Sequence, residues 1–445
     1  MNLGTGSVCY RTHSMDRAAC GCNVWNAEAL PLYKSKTEHI MKRDSPNHQV
    51  ALAHDWLTGM RGGEKVLELL CRRFPEAPLW TLIHNPNTVS STITNRRIHT
   101  SLLQKLPFAT EKYRHYLPFF PLFAETNKVS HADIVVSTSH AVAKSMVKRG
   151  RDHCKLHICY IHTPMRYAWD LFDEYFGPEQ VGALQSHLLF KPILQWIKWY
   201  DRATVNRVDL FIANSTHVAE RVRRCYGREA AVLPPPVDLS RFTNVRREPE
   251  DWFLVVSALV PYKRLDQAIR ACARLGRRLK IVGCGPEAEK LRQLAAELGA
   301  NVDFVGFAAD EQLVGYYRRA KALLFPGVED FGIVPVEAIA AGCPVIAFKK
   351  GGILDSMTDQ TATFYSHQSV DGLTEGIGNF EATQSRFDES VLRKQAALFS
   401  EAAFLKGFEQ LLQTALREMQ TSASSSHALY QPLTGTEELD WSTAE

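Results

Sequence analysis

Residues 326–348 read PGVEDFGIVPVEAIAAGCPVIAF. KALLFPG, which leads into this stretch, reads as the end of a strand, and VEDFG as the turn that follows. Pro335 fits the first turn of a helix, where a missing N–H costs little. Gly342 stops that helix, and PVIAF is the next strand. Such a strand–loop–helix–strand unit is the repeating piece of a parallel sheet covered by helices. Two carboxylates flank the helix mouth: Glu329 on the loop and Glu337 about one turn in.

The amides around Gly332, Ile333 and Val334 form the helix N-terminus, an anion site that suits phosphates above all. Complementing the helix dipole, worth ~0.3–1 kcal/mol per acid, accounts for Glu337 but leaves the Glu329-Asp330 pair unexplained. A ligand whose phosphates are flanked by hydroxyl groups fits both acids. The amides would hold a diphosphate, Glu337 would accept from a ribose diol, and Glu329 would face a sugar. A nucleotide sugar has that layout.

Outward from this unit the same alternation continues. WFLVVSAL, RLKIVGCG, VDFVGF and KALLFPG read as strands, separated by helical stretches such as RLDQAIRACARLG and PEAEKLRQLAAELG. Upstream, QVALAHDWL (49–57), ADIVVSTS (132–139), KLHICYIH (155–162), VDLFIANS (208–215) and AAVLPPPV (230–237) form a second strand series. Between the two series lies PPPVDLSRFTNVRREPED (234–251), proline-rich and then charged, as a connection between domains would be. The reading is α/β: two doubly wound, Rossmann-like parallel-sheet domains facing across a cleft, with a C-terminal helical segment. Its expected bounds are a disordered extension over 1–47, an N-terminal acceptor-side domain over 48–238 and a C-terminal nucleotide-sugar domain over 239–398. A closing helix over 399–418 and a disordered tail over 419–445 complete it. Ligands of such sheets bind beyond the strands' carboxyl ends, here in the cleft.

The length of 445 residues calls for two or three domains. With 52 Lys and Arg against 48 Asp and Glu, the net charge of +4 excludes a dedicated nucleic-acid binder. The 10 cysteines contain no CxxC pair and read as reduced core residues. No apolar h-region stands at the N-terminus and no run reaches the ~18 residues of a membrane span. A cytoplasmic protein is expected, at most peripheral at the inner face of the cell membrane.

The E-x7-E pattern of PGVEDFGIVPVEAIAAGCPVIA, followed by Gly351-Gly352, resembles the signature of retaining glycosyltransferases of family GT4, which have the GT-B fold. VPYKRLDQAI, VGCGPEAEKL, VDFVGF and FIANSTHVAERV stand in the order that family has, and the resemblance covers roughly residues 49–418. AHDWLTGMRGGEKVLE and HICYIHTPMRYAWD resemble bacterial members that build O-antigen and exopolysaccharide chains, often mannosyltransferases.

The resemblance implies that Lys263, in VPYKR, contacts the donor diphosphate, where a cation offsets leaving-group charge. Where many relatives carry an arginine just before, this chain has Ser257-Ala258. Arg264 is the candidate replacement, its other reading being a plain surface arginine. His162, at a strand's carboxyl end, stands where the family places a histidine that meets the transferred sugar, and an ordinary core histidine is the alternative. His140 is a second candidate of that kind. Gly62 and Gly63 would let backbone approach the donor, or simply form a tight turn. Gly283 and Gly285, the GxGP of VGCGP, complete the donor-binding set. Asp355 receives no role.

Catalysis is thus expected from Glu329, His162 and Lys263, by dissociative transfer with retention, the departing diphosphate helping to deprotonate the acceptor. No DxD element is present, so no metal and no cofactor are expected, with GDP-mannose favoured as donor. The acceptor would be a glycan or polyprenyl-linked oligosaccharide. Two aromatic and basic stretches, EKYRHYLPFFPLFAE (111–125) and HLLFKPILQWIKWYDR (187–202), read either as core packing between helices or as an interfacial segment holding a lipid-linked acceptor. The rival to the transferase is a nucleotide-sugar-binding protein of the same fold without that activity, or an epimerase.

Overall fold

The computed structural model describes residues 48–148, 154–170, 172 and 182–424. The two terminal segments expected to be disordered fall outside this range, except for residues 419–424.

The N-terminal sheet has seven parallel strands in the order β3-β2-β1-β4-β5-β6-β7. They are β1 (Val50–His54), β2 (Leu79–Thr81), β3 (Ile98–Thr100), β4 (Ile134–Ser139), β5 (Leu156–Ile161), β6 (Leu210–Ala213) and β7 (Ala230–Val232). Every residue of the central β4 and β5 is buried, which is why both read as unbroken apolar runs rather than alternating ones. The C-terminal sheet has six parallel strands in the order β10-β9-β8-β11-β12-β13. These are β8 (Phe253–Val256), β9 (Leu279–Val282), β10 (Val302–Gly306), β11 (Leu323–Phe325), β12 (Val345–Phe348) and β13 (Ala362–Tyr365). In both sheets the order reverses beside the first strand, so each has its switch point next to that strand.

The longer helices are α1 (Gly62–Arg73), α2 (Lys191–Ala203), α3 (Thr216–Tyr226), α4 (Leu265–Leu275), α5 (Ala288–Glu297), α6 (Asp310–Arg319), α7 (Ile333–Ala340), α8 (Val370–Thr383), α9 (Glu389–Ala397) and α10 (Glu401–Ser424). A break at Leu398–Ser400 precedes the C-terminal helix; there Val237 N–H donates to Phe399 O at 2.8 Å and Val237 bridges Ser400. The two crossings between domains therefore pair with each other.

Beyond the break, α10 does not close the second domain. Its Phe404, Phe408, Leu412 and Leu416 enter the N-terminal core beside Leu52, Leu67, Leu70 and Ile158. A bidentate Arg72–Glu401 pair, and Arg73 donating through Nε and Nη2 to one oxygen of Glu409, fix its outer face. The helix also outruns its expected end, because Met419 still packs against this core. No helix among the described residues is long and apolar enough to cross a membrane. Of the seven described cysteines only Cys284 is exposed, and the other six are buried.

The stretches at 111–125 and 187–202 each split between buried and exposed residues. Tyr113, Phe120, Leu194, Ile197 and Tyr200 share one core. Phe119, Leu122, Leu188, Leu189, Trp196 and Trp199 stay exposed, Trp199 at 66%. Lys191, Gln195 and Arg202 stand on the same outer face of α2 as the two tryptophans.

Candidate active site

The carboxyl ends of β1, β4 and β5 face those of β8, β11 and β12. Glu329 follows β11, and Lys263 ends a turn (Pro261–Lys263) after β8. The two loops touch: a Cβ on Gly327 would stand 3.0 Å from Lys263 Cα. Lys263 Nζ pairs with Glu329 Oε1, both side chains being largely buried. Burial, and then the neighbouring Arg166 guanidinium, draw the Lys263 ammonium down to about 7 from its ordinary 10.5, with Asp330 opposing.

A diphosphate that needs this cation binds best below that value, and its affinity is lost as the pH rises through it. Affinity for a diphosphate held by this cation would accordingly weaken by up to about tenfold per pH unit above 7. Titrations from pH 6 to 8.5 check this. Lys263→Met should bind weakly and without that slope, and a pH-independent wild type would contradict the role.

Gly332 caps α7 with φ +90°, a conformation open to glycine. The first-turn amides of α7 have no intrahelical acceptors. Gly62 and Gly63 begin α1 across the cleft. A Cβ on Gly62 would stand 3.0 Å from Ile333 Cδ1, and one on Gly63 3.3 Å from His162 Nε2. The glycine pair thus lets the mouths of α1 and α7 approach from opposite domains. Val334 follows Ile333 in the first turn of α7. Gly283 and Gly285 are required differently: Cβ atoms there would strike the backbone of Ser257 and Leu259, so packing within the second domain already demands glycine.

His162 follows β5 with its N–H on Ser139 O at 2.9 Å and its carbonyl accepting from Asn214 Nδ2 at 3.0 Å. Burial, then His140 and His54, push the His162 imidazole well below 6.5, so it is neutral at physiological pH. His140 Nδ1 lies 3.2 Å from Asp55 Oδ2. Asp55, fully buried after β1, accepts the N–H groups of His140, Ala141, Val142 and Ala143 at 2.6–3.0 Å. One carboxylate thereby shapes the whole β4 loop. His54, also fully buried, hydrogen-bonds Thr138 Oγ1 through Nδ1 at 2.6 Å.

Glu337 is buried on α7, where Arg241 Nη2 donates to one oxygen at 2.8 Å and Tyr317 OH to the other at 2.9 Å. Arg241 also meets Asp310 at 3.0 Å. The carboxylate is fixed by the protein's own groups, a pairing that the helix-dipole argument did not anticipate.

Arg264 is not part of this cluster. It adopts φ +56°, its side chain is half exposed, and its partner is Asp266 at 3.8 Å. Its position fits the reading as a surface arginine. Arg166 comes beside Lys263 instead, from the segment Arg166–Trp169 of the other domain. It donates to Asp330 Oδ2 through Nη2 at 2.6 Å and Nε at 3.0 Å.

Arg221 of α3 takes the other oxygen of Asp330 at 3.0 Å, donates to Thr163 Oγ1 at 2.6 Å, and pairs with Asp170. Asp355, left without a role by the sequence, accepts Thr216 N–H at 2.8 Å and Thr216 Oγ1 at 2.7 Å, capping α3 from the opposite domain. Two carboxylates of the second domain, Asp330 and Asp355, therefore bridge the cleft.

The family model described as Glycosyltransferase Family 4 matches residues 60–241, and that of the glycosyl transferases group 1 matches residues 237–397. A GDP-mannose-dependent alpha-(1-6)-phosphatidylinositol monomannoside mannosyltransferase of Mycolicibacterium smegmatis is 32% identical over 210 residues, 41% of this chain and 55% of that protein. The chain thus spans about half the length of the curated relatives it matches. Among solved structures, sucrose-phosphate synthase from Thermosynechococcus elongatus superposes with a TM-score of 0.59 at 17% identity, over 83% of this chain and 100% of that one. Anabaena HepE in complex with UDP-glucose gives 0.58 at 18%, over 82% and 100%. At those identities the likeness establishes the fold, which is GT-B as the sequence implies.

Proposed function

Starting from a chain that joins a glycosyltransferase family 4 domain to a group 1 domain, and so belongs to the glycosyltransferases, we propose that it transfers mannose from GDP-mannose to a lipid-linked glycan with retention of configuration. The observation that carries this reading is the meeting of Lys263, Glu329 and the α7 N-terminus at the cleft. The donor choice rests on the mannosyltransferase relative.

Lys263 and the α7 amides would take up negative charge as the sugar–phosphate bond breaks, which is work a divalent metal performs elsewhere, so the reaction is proposed to need none. Glu329 would face the sugar as it gains positive charge. His162, neutral and opposite Gly63, would line the sugar's other side. The departing diphosphate would accept the acceptor's hydroxyl proton as the new glycosidic bond forms. The test is incubation with GDP-mannose and a polyprenyl-linked oligosaccharide fraction in EDTA. One GDP released per α-mannosylated product is expected. No transfer from any GDP-, UDP- or ADP-sugar, or acceptor-independent epimerisation, would overturn the reading.

The exposed face with Phe119, Leu188, Trp196, Trp199 and basic neighbours suits an anionic membrane surface, where a lipid-linked acceptor resides. Co-sedimentation with vesicles containing anionic lipid is expected. A Trp196→Ser/Trp199→Ser variant should partition about tenfold less. An intact protein that stays in the supernatant at low salt would refute membrane docking.

A further inference from the structure

We propose that Arg166 is a second cation for the donor's diphosphate, supplied across the cleft by the acceptor-side domain, and that Asp330 holds it in readiness. The inference rests on the nucleotide-sugar reading above. It also supplies a basic group beside Lys263, whereas Arg264 is half exposed with Asp266 as its partner.

Three features of the geometry support it. Arg166 lies over the Tyr262 ring at 5.5 Å, on the same turn that presents Lys263. It is near enough to Lys263 for its charge to depress the lysine's protonation. Two like charges brought together in a largely buried place, with Lys263 18% and Arg166 18% exposed, are costly unless an anion comes between them. In the unliganded protein Glu329 pairs with Lys263, and Asp330 is shared by Arg166 and Arg221.

Asp330 can give up Arg166 without being orphaned. Its other oxygen stays with Arg221, which is 6% exposed and anchored by Thr163 and Asp170, and Ser215 Oγ donates to its backbone oxygen at 2.5 Å. Arg221 therefore fixes the loop while Arg166 is transferable. Arginine's planar fork suits paired phosphate oxygens. Because Lys263 and Arg166 belong to different domains, both reach one diphosphate only when the cleft is closed. A donor would then favour closure through the charge it neutralises, and a mononucleotide, lacking the second phosphate, would favour it less.

The experiment is titration of the intact protein with GDP and GMP, with UDP/UMP and ADP/AMP as alternatives, for wild type, Arg166→Gln, Arg166→Lys and Asp330→Asn. The readout is the diphosphate-to-monophosphate affinity ratio, which a merely structural clamp would not move. Arg166→Gln is expected to reduce the ratio about 10- to 100-fold, with Arg166→Lys between it and wild type. Asp330→Asn breaks the same contact from its other end and should leave the ratio within about threefold. An unchanged ratio in Arg166→Gln, or an equal fall in Asp330→Asn, would show that Arg166 is only a clamp and overturn the proposal. Should Arg166→Gln fail to fold, the Arg166→Lys and Asp330→Asn ratios decide by the same criterion. A wild type that binds none of the nucleotides would instead bring down the donor reading itself, and this assignment with it.

Discussion

Glu329→Gln is expected to lower kcat about 10²- to 10³-fold while changing GDP affinity less than about threefold. The substitution keeps the shape of the side chain and removes its charge. In the unliganded protein that charge is occupied by Lys263, so the pair must part for Lys263 to serve a diphosphate. Once it has parted, the carboxylate would, in the proposed reaction, face the sugar, where positive charge develops only as the bond to phosphate breaks. An interaction that strengthens in the transition state appears in kcat, whereas uniform binding would appear in KM. Initial rates and nucleotide titrations at pH 6.5, where the bulk of Lys263 is protonated, separate the two. Equal losses in kcat and donor affinity would assign Glu329 to donor binding alone.

Asp55→Ala is expected to cost about 3–5 kcal/mol of stability, although Asp55 lies outside the group proposed to touch the donor. Its two oxygens satisfy four consecutive N–H groups of the loop after β4 and lie beside the His140 ring. Truncation would leave those donors buried without acceptors in a place that is fully enclosed. Since His140 packs 4.3 Å from Trp56 and 6.1 Å from His162, the disturbance would reach the wall of the cleft as well. Urea unfolding reads the loss as a lower midpoint at constant m-value. A change under about 1 kcal/mol would mean that water replaces the carboxylate at little cost.

Both sheets were legible where their strands are fully enclosed. IVVSTS and LHICYI are buried along their whole length, and burial on both faces leaves no polar alternation to interpret. Three strands went unread. LWT and IHT have three residues each and ATFY four, too short for a periodic signal, and IHT is partly solvated at the sheet edge. No glycine or proline marks the break at Leu398–Ser400 before α10. A pairing with Val237, far away in the chain, makes it.

The site divides in the same way. Glu329 and the α7 mouth share one compact local pattern, whereas Lys263, in a separate motif, was joined to them only by the family resemblance. Arg166 and Arg221 lie 164 and 109 positions from Asp330, a distance no local pattern spans. Arg264 is adjacent to Lys263 in sequence, yet with its left-handed backbone it lies half exposed beside Asp266. Asp355 had no evident task until the fold put it over the N-terminus of α3.

The claim on which the rest depends is that the cleft binds a nucleotide sugar without a metal. Thermal unfolding in the presence of GDP, UDP, ADP and their sugar conjugates, with and without EDTA, tests it most directly. A ligand at 100 times its Kd adds ~2.7 kcal/mol of stability, a clear shift. Stabilisation by GDP and GDP-mannose, unchanged by EDTA, is the predicted result. Stabilisation that EDTA abolishes, or none by any nucleotide, would contradict it.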